Sequence, residues 1–331
     1  MTDELLETIG AQLPVIYPLT AKLGVKALNY SENRIYLIQE MDSEIKYILR
    51  VHRPGYHTKE EFEGELLWMK EISEQTDIIL PGVYQGINRE YLQSISTKNG
   101  EAFTCILFSY LKGHTLGSLE ENERMVQLKQ VGRILAKLHN QSQNRDDTAK
   151  IVRFSWDVED LLGEKARWGD WRDYSYLKPE QKEIFADAER IILQRVKNFG
   201  RTPEHFGLIH SDIHSTNLII HEDKIQLIDF DDCGYGWYLY DIGCSLVKYP
   251  FIDGLTEAIL EGYESVRPLT QEEKEALPTF LLLRRIVRFA WLAGHADSDT
   301  AGTVTGDYLL ETVRMAERYC EEHRNRVVTC Y

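Results

Sequence analysis

The chain has 331 residues, of which 43% are hydrophobic, 11% aromatic and 27% charged. At roughly 150 residues per domain that is about two domains, and the composition excludes a wholly disordered chain. Lys and Arg number 38 against 53 Asp and Glu, a formal net charge of −15. An acidic chain repels polyanions, so neither a nucleic-acid partner nor an anionic membrane is expected.

The five cysteines, Cys105, Cys233, Cys244, Cys320 and Cys330, are odd in number and none forms a CxxC pair. A zinc ribbon or a disulfide scaffold is therefore not expected, and a reducing compartment is. The start, Met-Thr-Asp-Glu-Leu-Leu-Glu, is too acidic for a signal or transit peptide. The most apolar helix candidate, Phe280–Gly294, is interrupted by Arg284, Arg285 and Arg288, so no membrane span is expected and a cytoplasmic location is.

In chain order, Arg34–Gln39 and Ile45–Val51 flank the polar turn Met41–Glu44 and predict a β-hairpin. Pro54-Gly55 breaks the second strand. Lys59–Ser73 places Phe62, Leu66, Met69 and Ser73 at helical spacing. Strand patterns follow around Val83–Ile87 and Phe103–Tyr110, and the character changes near Leu111-Lys112-Gly113. Helices are then expected over Asn122–Asn140, Gln181–Lys197, Leu255–Glu264, Phe280–Ala293 and Tyr308–His323. One short hairpin, Leu218–Ile220 with Ile225–Phe230, interrupts them. The expectation is an α+β chain: a small, mostly antiparallel lobe over 1–110 with one helix, and a larger, mainly helical lobe over 111–331. Ligand sites favour such junctions.

The densest polar cluster is Leu208-Ile-His210-Ser-Asp212-Ile-His214-Ser-Thr-Asn217, and Asp229 follows twelve residues after Asn217 in Ile228-Asp229-Phe230-Asp231-Asp232. His-x-Asp with Asn five residues beyond the Asp is the spacing of a kinase catalytic loop. A carboxylate there can accept a proton from an attacking hydroxyl. An amide oxygen and a second carboxylate are hard ligands for the Mg²⁺ that bridges ATP phosphates. Competing readings fail on detail. His210 and His214 lack the HExxH glutamate. Asp229 to Tyr240 lacks the bidentate Glu of an EF-hand. Ser211, between His and Asp, forms no triad.

These residues resemble the aminoglycoside phosphotransferase/choline kinase branch of the protein-kinase-like fold, and within it bacterial type II homoserine kinases and the stress-response kinase group. The resemblance implies a two-lobed kinase fold using ATP and Mg²⁺, with Asp212 as the base and Asn217 and Asp229 on the metal. His210 would buttress the loop, Asp241 in Tyr240-Asp241-Ile242-Gly243 would brace it from the next helix, and Asp231 would sit near metal or substrate. In Tyr47-Ile-Leu-Arg50-Val51, Arg50 stands where the family presents a Lys to the phosphates, and Glu65 matches its ion-pair partner. Arg keeps the charge and grips phosphate with a different, forked geometry. Leu28–Tyr36, with Asn33, occupies the place of the phosphate-covering loop, without GxGxxG. Phe108-Ser109-Tyr110-Leu111 occupies the hinge, so Ser109 and Leu111 would meet adenine through their backbone.

For the acceptor, Trp156, Trp168, Trp171 and Trp237 alternate with acids such as Asp157 and Asp170, a pattern suited to a cationic amine. It is equally that of core tryptophans beside a solvated acidic face. Arg284, Arg285 and Arg288 suit a carboxylate, or lie along apolar neighbours. The two hints together allow a zwitterion. The expected function is transfer of the ATP γ-phosphoryl group to a hydroxyl of a small molecule: an amino alcohol, hydroxy amino acid or aminoglycoside-like compound. A protein Ser/Thr kinase is the alternative, but the twelve residues Phe230–Asp241 leave little room for an activation segment. A nucleotide-binding pseudokinase is a third reading, disfavoured by the presence of Asp212, Asn217 and Asp229.

Overall fold

Alternation along the N-terminal strands builds a sheet with two different faces. The computed structural model describes residues 2–30, 33–146, 150–247, 254–295 and 306–327. It begins with α1 (Thr2–Ile16), followed by β1 (Leu23–Tyr30), β2 (Arg34–Glu40), β3 (Lys46–Val51), α2 (Lys59–Gln75), β4 (Val83–Tyr84), β5 (Gln93–Ser96) and β6 (Ala102–Ser109). These strands form one antiparallel sheet in the order β1-β2-β3-β6-β4, with β5 also on β6. Tyr47, Leu49 and Val51 of β3 face α1 and pack with Leu5, Ile9 and Leu13. The intervening Ile48 and Arg50 therefore face α2 and the cleft, by the period-2 rule for strands.

Helix α1 was not expected from the sequence. Its apolar residues recur every fourth position and are buried, but Pro14 near its end and the acidic residues at its start disguise the pattern. By contrast α2 carries a full capping box, with Thr58 accepting from Glu61 N at 3.2 Å and Glu61 accepting from Thr58 N at 2.9 Å. The strand pattern around Val83–Ile87 shrinks to the two residues of β4.

Beyond β6 come β7 (His114–Thr115), α3 (Glu121–Gln143), α4 (Val158–Leu162), α5 (Pro179–Phe199), β8 (Phe206–Ile209), β9 (Leu218–His221), β10 (Lys224–Leu227), β11 (Gly234–Trp237), α6 (Tyr238–Leu246), α7 (Leu255–Glu264), α8 (Gln271–Gly294) and α9 (Gly306–Val327). The expected hairpin is β9–β10, joined by β7 in a three-stranded sheet, and β8 pairs with β11 in a two-stranded one. The β8–β11 pair sets the site. It brings the loop after Ile209 beside the first turn of α6, where Asp241 lies. Among the described residues, no helix is long and apolar enough to cross a membrane. Cys105, Cys233, Cys244 and Cys320 are buried free thiols, while Cys330 lies outside the described residues.

Candidate active site

The loop from His210 to Asn217 is fixed from below by Asp241. Its carboxylate, fully buried, accepts from His210 N at 2.9 Å and Ser211 N at 2.6 Å. His139 of α3 approaches the same carboxylate at 3.2 Å. Ser211 holds a left-handed φ of 65°, which a non-glycine residue adopts only when its surroundings over-determine it. Here its hydroxyl donates to Asp232 O at 2.6 Å and Cys244 donates to its carbonyl at 2.9 Å. His210 is buried with Nε2 3.0 Å from Ile228 O, and burial lowers its pKa, so the neutral ring is structural.

This bracing presents Asp212. Asn217 Nδ2 donates to its carbonyl at 3.0 Å and to Oδ2 at 3.1 Å, His214 Nε2 lies 3.1 Å from Oδ2, and Arg284 of α8 donates to Oδ1 at 2.7 Å. Burial by itself raises a carboxyl; His214 and Arg284 outweigh it and hold Asp212 well below the usual carboxylate range. It is an ionised acceptor.

Asp229 follows β10, also at a left-handed φ of 66°, with 46% of its side chain open and Arg50 Nη1 3.7 Å away. Desolvation by the cleft walls leads in pushing its carboxyl up to about 7; Arg50 opposes this, and Asp231, Asp212 and Glu65 add to it. A crowded, outward-facing carboxylate of this kind suits a cation. The Asn217 amide nitrogen is committed to Asp212, which leaves its oxygen for the same ion. Among the described residues, no group of three or more His, Cys, Asp and Glu is placed to hold a metal unaided. Two hard oxygen donors would suit a hard divalent cation such as Mg²⁺.

Behind Asp229, Arg50 is buried rather than solvent-facing. Its Nη2 lies 2.7 and 2.8 Å from the two Glu65 oxygens. Asp231 is buried too, 3.8 Å from Arg50 Nη2 and 3.4 Å from both His52 Nδ1 and His57 Nε2. It is no surface-turn acid. Asn33, buried at the head of β2, accepts from Arg53 N at 3.2 Å, while Ser31 and Glu32 of the expected covering loop lie outside the described residues. Ser109 ends β6. Its N–H donates to Gly82 O and its hydroxyl accepts from Gly82 N, both at 2.8 Å. Leu111 follows two residues on. The register pairs Arg50 with Ile106 and Tyr47 with Ser109, so the hinge lies about 10 Å along the strand from Arg50.

Asn33, Asp212, Asn217, Asp229 and Asp231 line one cavity of about 160 Å³. Arg50, Glu65, His210 and Asp241 stand behind its walls, and Ser109 and Leu111 are not among its lining residues. The structure divides the four tryptophans between the two readings. Trp156, Trp171 and Trp237 are buried in the core, and Trp168 faces the cavity with Trp291. Asp157 and Asp170 cap helical turns through Glu159 N and Arg172 N. Arg284 divides from its neighbour. Arg285 is tied to Thr312, Val247 O and Tyr308 O in the helical core, whereas Arg284 reaches Asp212.

Arg153 was also missed. It spans from Glu61 O of α2 at 2.9 Å to Cys233 O at 2.5 Å and Asp231 O, tying the helix that carries Glu65 to the Asp229 loop. No local sequence signal marks such a span.

A family model described as the phosphotransferase enzyme family (APH) matches residues 26–275. A microcompartment-associated aminopropanol kinase of known structure superposes with a TM-score of 0.80 at 30% identity, over 97% of this chain and 98% of its own. Amicoumacin kinase of Bacillus subtilis (strain 168) is 23% identical over 295 residues, 85% of this chain and 83% of its own length. An amicoumacin kinase solved with AMP-PNP, Ca²⁺ and Ami gives a TM-score of 0.74 at 21% identity, over 97% of this chain and 94% of its own.

Proposed function

Because this chain belongs to the phosphotransferase enzyme family, we propose that it moves the γ-phosphoryl group of Mg²⁺·ATP to the hydroxyl of a small amino alcohol or hydroxy amino acid. Its fold is protein-kinase-like, and its class of activity is phosphoryl transfer to a hydroxyl of a small molecule. The observation that carries the finer reading is the convergence of Asp212, Asn217 and Asp229 on one cavity, with the Arg50–Glu65 pair beside Asp229.

In this reading the nucleotide lies between a lobe of residues 1–110 and a lobe of residues 111–331. The Ser109 carbonyl, whose N–H is spent on Gly82 O, and the Leu111 backbone would face adenine, and the loop ending at Asn33 would cover the phosphates. Arg50, held by Glu65, meets phosphate charge. Asn217 and Asp229 would hold Mg²⁺, which supplies neutralisation of the charge on the phosphate oxygens. Asp212 orients the acceptor hydroxyl and takes its proton as the oxygen bonds to the γ-phosphorus. The β–γ bridging P–O bond breaks, and ADP leaves with that bonding pair. His210 and Asp241 keep the loop in place, and Asp231 anchors the far side of Arg50.

The test is ADP release with Mg²⁺·ATP across an acceptor panel, with variants as controls. Asp212→Asn should lower kcat by about 10²–10⁴ and retain the melting shift given by Mg²⁺·ATP. Asp229→Asn should lose that shift. Equal turnover in the first variant removes Asp212 as the base, and an unchanged shift in the second removes Asp229 from the metal.

A further inference from the structure

Two cationic side chains of α8 at the cavity, Arg284 and Arg288, keep donors that the contact with Asp212 does not use. Arg284 is 3% exposed. One of its nitrogens, Nη2, is spent on Asp212 at 2.7 Å, while Nε and Nη1 are buried with no hydrogen-bond partner. Its guanidinium lies 4.8 Å over the ring of Trp168, another residue of the cavity wall. One turn further on, Arg288 also lines the cavity. Among the described residues it makes no hydrogen bond or ion pair, and its guanidinium lies loosely over the Tyr308 ring at 6.0 Å.

Two like charges at i and i+4 on a helix repel, and buried donors without acceptors are costly. Asp212 neutralises one arginine, so the pair keeps an excess positive charge on the face that adjoins the base. An anion on the acceptor relieves both costs. Asp232 lines the same cavity, where one of its oxygens accepts from the Tyr56 hydroxyl at 2.7 Å.

We propose that Arg284 and Arg288 read a carboxylate on the acceptor, so that the preferred substrates are hydroxy amino acids and not the amino alcohols that lack the acid group. The inference rests on the phosphotransferase reading above and narrows it. Arg288 is the specificity-determining residue. Arg284 holds Asp212 and contributes its spare donors to the same carboxylate. Aminopropanol, the acceptor that names the structural neighbour, carries no carboxylate, so the two acceptor types are separable by experiment.

The experiment uses the full-length enzyme with pairs that differ only by the carboxylate: homoserine and 3-aminopropanol, threonine and 1-amino-2-propanol, serine and ethanolamine. At least one amino acid should exceed its decarboxylated partner by about 10²-fold or more in kcat/KM, because a site built to bind a polar group rejects the analogue lacking it. Arg288→Gln should reduce that ratio to about 10 or less, mainly through KM of the amino acid, and Arg288→Lys should recover part of it. The melting shift with Mg²⁺·ATP serves as the folding control for both variants.

Partners that are equal, or amino alcohols that are faster, overturn the inference. So does an equal loss on both members of a pair in Arg288→Gln, which puts Arg288 on the transferred phosphate instead. Turnover dependent on Asp212 with choline or an aminoglycoside, and with no pair member, overturns it while leaving the kinase reading intact. Absence of Asp212-dependent turnover with every acceptor removes both.

Discussion

Arg50 and Glu65 have side-chain exposures of 5% and 0%, and three histidines, His52, His139 and His210, are buried as well. Burial is the leading cause that lowers the pKa of His52, His139 and His210, so each is neutral in the folded protein. An unfolded histidine titrates near pH 6.5. The unfolded state therefore binds more protons than the folded state once the pH falls below about 6.5, and stability is lost in that direction, by up to about 1.4 kcal/mol per pH unit for each histidine. Asp229 acts with the opposite sign. Its folded pKa of about 7 lies above the unfolded value, so it contributes stability as the pH falls through 7. Three histidines act in the one direction and one carboxyl in the other. The urea midpoint of the nucleotide-free protein should fall between pH 7.5 and pH 5.5, and a flat midpoint would mean that the histidines are already charged when folded.

Helices α3 and α7 meet through glycine. A Cβ on Gly132 would lie 2.0 Å from Ile259 O, and one on Gly262 would lie 2.0 Å from Lys129 O. Replacing a mid-helix glycine with alanine gains up to about 1 kcal/mol of helix propensity. A hard contact with a backbone carbonyl outweighs that, at about 1–3 kcal/mol for overpacking. Gly262→Ala should therefore lower the melting temperature, measured by calorimetry, and an unchanged value would contradict the close approach. The spacing matters to the site because α3 carries His139, which packs on Asp241 beneath the catalytic loop.

The described residues form two cores of unequal reach. The smaller lies between α1 and the back of the sheet. The larger takes in Trp68 of α2 and Ile106 and Phe108 of β6 together with Leu135, Trp156, Phe230 and Phe280. The roof and floor of the cleft thus share one apolar interior. Polar links cross the same junction, with Trp68 Nε1 donating to Gln141 at 2.9 Å and Arg145 meeting Glu71 at 2.7 Å. The two parts should unfold together, giving coincident urea transitions by tryptophan fluorescence and far-UV circular dichroism. Two separated transitions would show that the shared core does not couple them.

The sequence by itself determined whatever is written in local spacing. The His210–Asn217 loop, the return to Asp229, the β2–β3 hairpin and the helix carrying Glu65 all follow from patterns a few residues long, because turn residues and side-chain period act at that range. The residues so marked lie around one cavity or directly behind it. Tertiary structure alone decided the rest. It buried Asp231 between two histidines, turned three tryptophans into the core and one to the cavity, and set Arg284 on Asp212 across 72 residues of chain. It also covered the sheet with α1. A sequence gives the chemistry of each side chain, whereas its exposure and its partner depend on which helix faces meet, and that is fixed by packing between distant segments.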